Sequence, residues 1–151
     1  MDLLLTGKRA IVTGGSRGIG LAVARALADE RCDVALVARD KIALEAARES
    51  VAAVSGRTVL AVSADTGDDQ SVAEMAATVA GEFGGVDILV NAAARPNTGA
   101  VVGIDGFDTA EFFEQVNVKV LGYLRCIRAV SVAVNGDAIT VGGGAVGPVY
   151  Y

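Results

Sequence analysis

The sequence has no histidine, two cysteines and few aromatic residues, and each shortage closes off a class of chemistry. Without an imidazole there is no thiol–imidazole pair, no serine–histidine triad and no histidine-ligated metal site, so no metal is expected. Cys32 and Cys126 lie far apart with no C-x-x-C spacing, which reads them as buried, reduced thiols. Aromatics make up 5% of the 151 residues against 52% apolar, so the core must be built from Ala, Val, Leu and Ile. That composition suits a buried parallel sheet under alanine-rich helices. No basic run occurs and the net charge is −5, which argues against nucleic acid or an anionic membrane as the main partner. No stretch reaches the ~20 apolar residues of a membrane span. The first residues, Met1 to Lys8, lack the long apolar region and cleavage site of a signal peptide. A soluble, cytoplasmic protein with one domain over residues 1–151 is the expectation.

What the chain does have is Thr13-Gly14-Gly15-Ser16-Arg17-Gly18-Ile19-Gly20, placed after the apolar run Ala10-Ile11-Val12. It opens a segment with helical spacing at Ile19, Val23 and Leu27. Strand, glycine-rich turn and helix in that order form the first half of a dinucleotide-binding βαβ unit. Glycines let the backbone turn sharply and bring its N–H groups close to a pyrophosphate. The helix then points unpaired N–H donors and a partial positive charge at the phosphates. Gly14, Ser16, Arg17, Gly18, Ile19 and Gly20 are therefore candidate cofactor-binding residues.

Downstream, strands are expected over 33–38, 58–63 and 86–90, with helices over 42–54 and from Asp68 or Asp69 to Phe83 between them. A long loop follows, from about Arg95 to Phe107. Asp108-Thr109-Ala110-Glu111 resembles a capping box and starts a helix expected to reach about Arg128. The strict alternation implies an α/β fold, a Rossmann-like doubly wound parallel sheet with helices on both faces. After that the pattern changes. Ala129 to Val134 is apolar with no clear period, Asn135-Gly136-Asp137 reads as a turn, and Ala138 to Val141 as a short strand before Gly142-Gly143-Gly144.

The T-G-x-x-x-G-x-G spacing resembles the short-chain dehydrogenase/reductase family, classical type, and other landmarks agree in order. Asp65-Thr66 follows the third strand, where the family holds the adenine ring. Asn91-Ala92-Ala93-Ala94 follows the fourth, close to the family's N-N-A-G, with Ala94 where a glycine is usual. Asn117, within Val116-Asn117-Val118-Lys119, resembles the helix asparagine of the family's catalytic tetrad. The resemblance covers residues 1 to about 128. It implies an oxidoreductase interconverting a carbonyl and a secondary alcohol, with 3-oxoacyl thioester reduction as one member activity. It also implies a homodimer or homotetramer, with the apolar tail Ala145 to Tyr151 either packed across a subunit interface or frayed. By the resemblance Asp65, Thr66, Asn91, Ala92 and Ala93 join the cofactor-binding set and Asn117 is catalytic, keeping a helix kink and a water in place for proton relay. Residue by residue, Asp65 also reads as a strand-end turn residue and Asn91 as a turn-capping amide.

Cofactor choice has a physical argument. An NAD-selective site places a carboxylate at the end of the second strand to accept from the ribose 2′-OH. That place, 18 residues after Gly20, holds Ala38, followed by Arg39. Arg39 and Arg17 together would attract a 2′-phosphate, favouring NADP(H) over NAD(H). The competing reading makes Arg39 a solvated charge paired with Asp40.

The family's tyrosine with a lysine four residues later, and its serine on the fifth strand, have no counterpart. Tyr123, Tyr150 and Tyr151 lack such a lysine, and Lys119 precedes Tyr123. The end of the chain resembles the family's final strand, so a central segment of roughly 100 residues, with the serine and the Tyr-x-x-x-Lys, is expected to be missing near Val130-Ser131. Alternatively the short strand docks beside the fourth, and the chain is a non-catalytic dinucleotide-binding module.

Overall fold

Strand β1 (Arg9–Thr13) lies at the middle of a five-stranded sheet that the chain builds outward in both directions. The computed structural model describes residues 3–95, 108–133 and 139–142. The order is β1, α1 (Gly18–Asp29), β2 (Asp33–Ala38), α2 (Lys41–Ser55), β3 (Val59–Ser63), α3 (Asp69–Phe83) and β4 (Ile88–Asn91). A long helical arm follows, made of α4 (Thr109–Val116), a π-helical turn (Asn117–Leu121) and α5 (Gly122–Ala133), and β5 (Ile139–Gly142) closes the sheet. The strand order is β3-β2-β1-β4-β5, with every neighbour parallel. The chain thus reverses direction across the sheet between β1 and β4, where a doubly wound fold opens a crevice at the strands' carboxyl ends.

Both faces of the strands are apolar because both are covered. Val12, Leu36 and Val90 pack with Ala24 and Ala28 of α1 and Leu44, Ala47 and Val51 of α2. On the other face Ile11, Val37 and Leu89 meet Val72, Met75 and Val79 of α3 and Cys126 and Val130 of α5. Each large aliphatic side chain so buried contributes roughly 1.5–3 kcal/mol. Cys32 and Cys126 are buried free thiols, and burial pushes Cys126 up to about 11.

At the amino ends of the strands, Asp87 accepts from the backbone N–H of Arg9 at 2.9 Å and from its Nε at 2.7 Å. The Asp87 N–H donates back to the Arg9 carbonyl at 2.8 Å. This pairing pins β4 against β1 in the register Val12↔Val90 and Thr13↔Asn91.

Two expectations change. The helix begun at Asp108 is not uniform: a π-helical turn interrupts it at Asn117. Residues 129–133, aperiodic in sequence, continue α5, and Ser131 Oγ donates to the Ile127 carbonyl at 2.8 Å. Tertiary burial of Cys126 and Val130 overrides the weak local pattern there. The short last strand pairs with β4 as the alternative reading requires, one residue later than expected. The loop over 96–107, the Asn135-Gly136-Asp137 turn and the tail from Ala145 lie outside the described residues.

Candidate functional site

A cleft of about 790 Å³ opens over the carboxyl ends of β1, β2, β3 and β4, within the range of ~300–1,000 Å³ usual for ligand pockets. Ten of the sequence-predicted residues line it: Gly14, Ser16, Arg17, Ile19, Gly20, Arg39, Asp65, Thr66, Ala92 and Ala93. Gly18, Asn91 and Asn117 do not.

The glycine turn brings two backbones together. Gly14 has φ +69, and a methyl group there would stand 2.6 Å from the Ala92 carbonyl oxygen; one on Gly20 would stand 2.3 Å from the Gly14 carbonyl oxygen. Neither site has room for a side chain, so α1 starts hard against the turn.

The start of α1 also differs chemically from those of α2, α3 and α4. Asp40 accepts from the Ile42 and Ala43 N–H groups to cap α2, Asp68 from Ser71 to cap α3, and Asp108 from Ala110 and Glu111 to cap α4. Arg17, in the capping position of α1, makes no side-chain cap bond, and no acid sits in its first turn. The first-turn donors of α1 are left for an anion.

Three cationic side chains border the cleft. Arg95 is held by Glu111 at 3.5 Å and Glu114 at 3.3 Å. Arg17 and Arg39 make no ion pair among the described residues, and Asp40, next to Arg39 in sequence, turns one carboxylate oxygen to the start of α2 as its cap. Ala38, not a carboxylate, ends β2. Ile19 presents an apolar side chain that is 80% exposed.

On the opposite wall Asp65 Oδ1 accepts from the Gly67 N–H at 2.8 Å, closing the turn after β3, and Thr66 is buried. Asp65 is therefore both a turn residue and a cleft residue. Asn117 lies behind this wall, its Nδ2 donating to the Gly67 carbonyl at 3.5 Å, while the next residue, Val118, reaches the cleft. Asn91 is buried on the sheet face it shares with Thr13, and neither amide atom has a hydrogen-bond partner among the described residues.

Sequence reasoning missed Thr13, Val118 and Arg95. Thr13 Oγ1 donates to the Val90 carbonyl and accepts from the N–H groups of Ala92 at 3.1 Å and Ala93 at 3.3 Å. The signal for Thr13 was present, since it heads the glycine motif. For Arg95 nothing local marks it, because its partners lie 16 and 19 residues on. Tyr123 does not substitute for an acid of lowered pKa, since burial pushes its phenol up.

The chain matches the family model described as short chain dehydrogenase over residues 8–145. The 2,3-dihydro-2,3-dihydroxybenzoate dehydrogenase of Bacillus subtilis is 34% identical over 147 residues, covering 95% of this chain and 55% of that protein. The structure of L-sorbose reductase from Gluconobacter frateurii, complexed with NADPH and L-sorbose, superposes with a TM-score of 0.81 at 32% identity, over 93% of this chain and 54% of that one. NAD+-bound xylitol dehydrogenase superposes with a TM-score of 0.77 at 30% identity, over 85% of this chain and 48% of that one. The chain spans about half the length of each. No helix among the described residues is long and apolar enough to cross a membrane.

Proposed function

The chain belongs to the short-chain dehydrogenase family, and from that premise we propose that it forms the NADP(H)-holding half of an oxidoreductase interconverting a carbonyl and a secondary alcohol. The observation that carries this reading is the pair Arg17 and Arg39 bordering one cleft with no acid bound to either among the described residues, beside Ala38 where a 2′-OH-selective carboxylate would stand. Two guanidinium groups free of partners favour a phosphate monoester over a hydroxyl.

The residues fit a dinucleotide along the whole cleft. Uncapped N–H groups at the start of α1 suit a pyrophosphate, and Gly14 and Gly20 let the turn pack tightly against α1 and the segment after β4. Asp65, Thr66 and Val118 form the wall suited to the adenine end, and Thr13 holds Ala92 and Ala93 at the other. Asn91, buried beside Thr13 with its amide unpartnered among the described residues, is assigned to this end of the cleft as well. The cofactor's chemistry is hydride transfer with the substrate carbon. The proton at the substrate oxygen needs a donor that this sequence does not carry as Tyr-x-x-x-Lys. We assign Asn117, at the start of the π turn, to ordering that relay.

A second reading, a dinucleotide-binding module without turnover, is favoured by β5 occupying the place beside β4. Calorimetric titration with NADPH and NADH tests the first half of the proposal: tighter NADPH binding is expected, and equal affinity would remove the role given to the arginines. Reduction of carbonyls, 3-oxoacyl thioesters among them, separates the two readings. An intact mass of the protein from its native cell shows whether a central segment accompanies turnover.

Assembly as a homodimer or homotetramer is supported by Phe113, Leu124 and Val132, exposed along the helical arm. Light scattering on the purified chain tests it.

A further inference from the structure

One guanidinium reaches the two backbone segments that build one wall of the cleft. Arg125 Nη1 donates to the Asn117 carbonyl at 3.1 Å and to the Thr66 carbonyl at 3.5 Å, while Nε donates to Asp69 Oδ2 at 3.1 Å. The side chain is only 17% exposed; its bonds to the two carbonyls are partly buried, while the Asp69 carboxylate lies at the surface. The acceptors belong to the turn after β3, the first residue of the π turn and the first residue of α3. Thr66 lines the cleft, and so does Val118, one residue past Asn117.

The Thr66 carbonyl is confined from a second side as well. A methyl group on Gly122 would stand 2.9 Å from its oxygen. The Asn117 carbonyl is shared between the Gly122 N–H, which closes the π turn, and Arg125. Arg125 and Gly122 together hold these two backbones in one fixed relation. Neither residue touches the cleft.

We propose that Arg125 is a positioning residue for the adenosine end of the cleft, locking the turn at Asp65-Thr66 to the π turn that carries Val118. The assignment rests on reading the cleft as a dinucleotide site. Arginine suits the task because a planar fork serves acceptors in different directions at once, whereas a lysine ammonium is a point charge. Arg125→Lys therefore keeps an attraction to Asp69 and gives up the joint hold on the two carbonyls.

The test is calorimetric titration of the full chain with 2′,5′-ADP, with melting temperatures measured in parallel. Arg125→Lys is expected to melt close to the unaltered protein yet bind 2′,5′-ADP about three- to tenfold more weakly, the scale of one ordinary hydrogen bond's net contribution. Gly122→Ala, which presses on the same Thr66 carbonyl from the other side, is expected to weaken binding similarly. Arg128→Gln removes the other cation on Asp69 and touches neither carbonyl, so it should bind as the unaltered protein does. In the ligand-free chain, amide exchange over 65–68 and 117–122 should quicken together in Arg125→Lys. Unchanged affinity and exchange in Arg125→Lys and Arg125→Gln would overturn the assignment alone, as would an affinity loss in Arg128→Gln of the same size. If the unaltered chain binds no 2′,5′-ADP, the dinucleotide reading fails first and the assignment falls with it.

Discussion

Gly14 and Ala92 meet backbone to backbone, with no room between them for even one methyl group: a Cβ on Gly14 would lie 2.6 Å from the Ala92 oxygen and 2.9 Å from the Ala93 Cα. Since Gly14 also has φ +69, alanine there is penalised twice. Gly14→Ala is expected to cost about 2–4 kcal/mol in urea unfolding and to weaken nucleotide binding. An unchanged midpoint would show that the two segments separate freely.

Thr13 is fully buried, and its hydroxyl serves both N–H groups that follow β4. Thr13→Val keeps the shape and strands those donors, so a loss of roughly 1–3 kcal/mol is expected. Thr13→Ser should recover most of it. Equal stability of the valine and serine variants would mean the hydroxyl carries no weight.

Arg39→Asp reverses the charge where a 2′-phosphate would sit and supplies the carboxylate that Ala38 does not. NADPH affinity should fall by about tenfold or more, the equivalent of one charge-assisted contact, while NADH affinity holds or rises. Unchanged selectivity would remove Arg39 from the cofactor site.

The Arg9 guanidinium holds the Asp87 carboxyl below its usual range, assisted by the Arg9 N–H and the Lys8 charge. A carboxylate depressed by folding takes up its proton more readily in the unfolded chain, so its stabilisation is complete above the ordinary aspartate value of about 3.9. It is lost as pH falls through the lower, folded-state value. Asp87→Asn should therefore be less stable than the unaltered chain at neutral pH, with the gap closing in acid. A gap that does not narrow as the pH is lowered would assign the effect to the bond geometry rather than the charge.

The local patterns were legible where one physical cause dominated. A nearly continuous apolar run marked β2, period-3.6 apolar spacing marked α2 and α3 almost to the residue, and Asp108 was visible as a cap. The π turn was not, because Asn117 through Leu121 shows ordinary helical residues and the wider turn has no compositional mark; only the family resemblance implied a kink at Asn117. Nor was the continuation of α5 through Val130, whose burial against the sheet is a tertiary fact.

By itself the sequence determined the α/β alternation, the glycine turn and the presence of Arg17 and Arg39, since each follows from residue type and spacing along the chain. Only the tertiary structure decided that Arg39 makes no ion pair among the described residues while Asp40 caps a helix, and that β5 stands beside β4. It also decided that Arg125 joins Thr66, Asp69 and Asn117, which lie 59, 56 and 8 residues away. Contacts at such separations depend on how the packed layers bring distant backbone carbonyls within reach, and no local spacing encodes that.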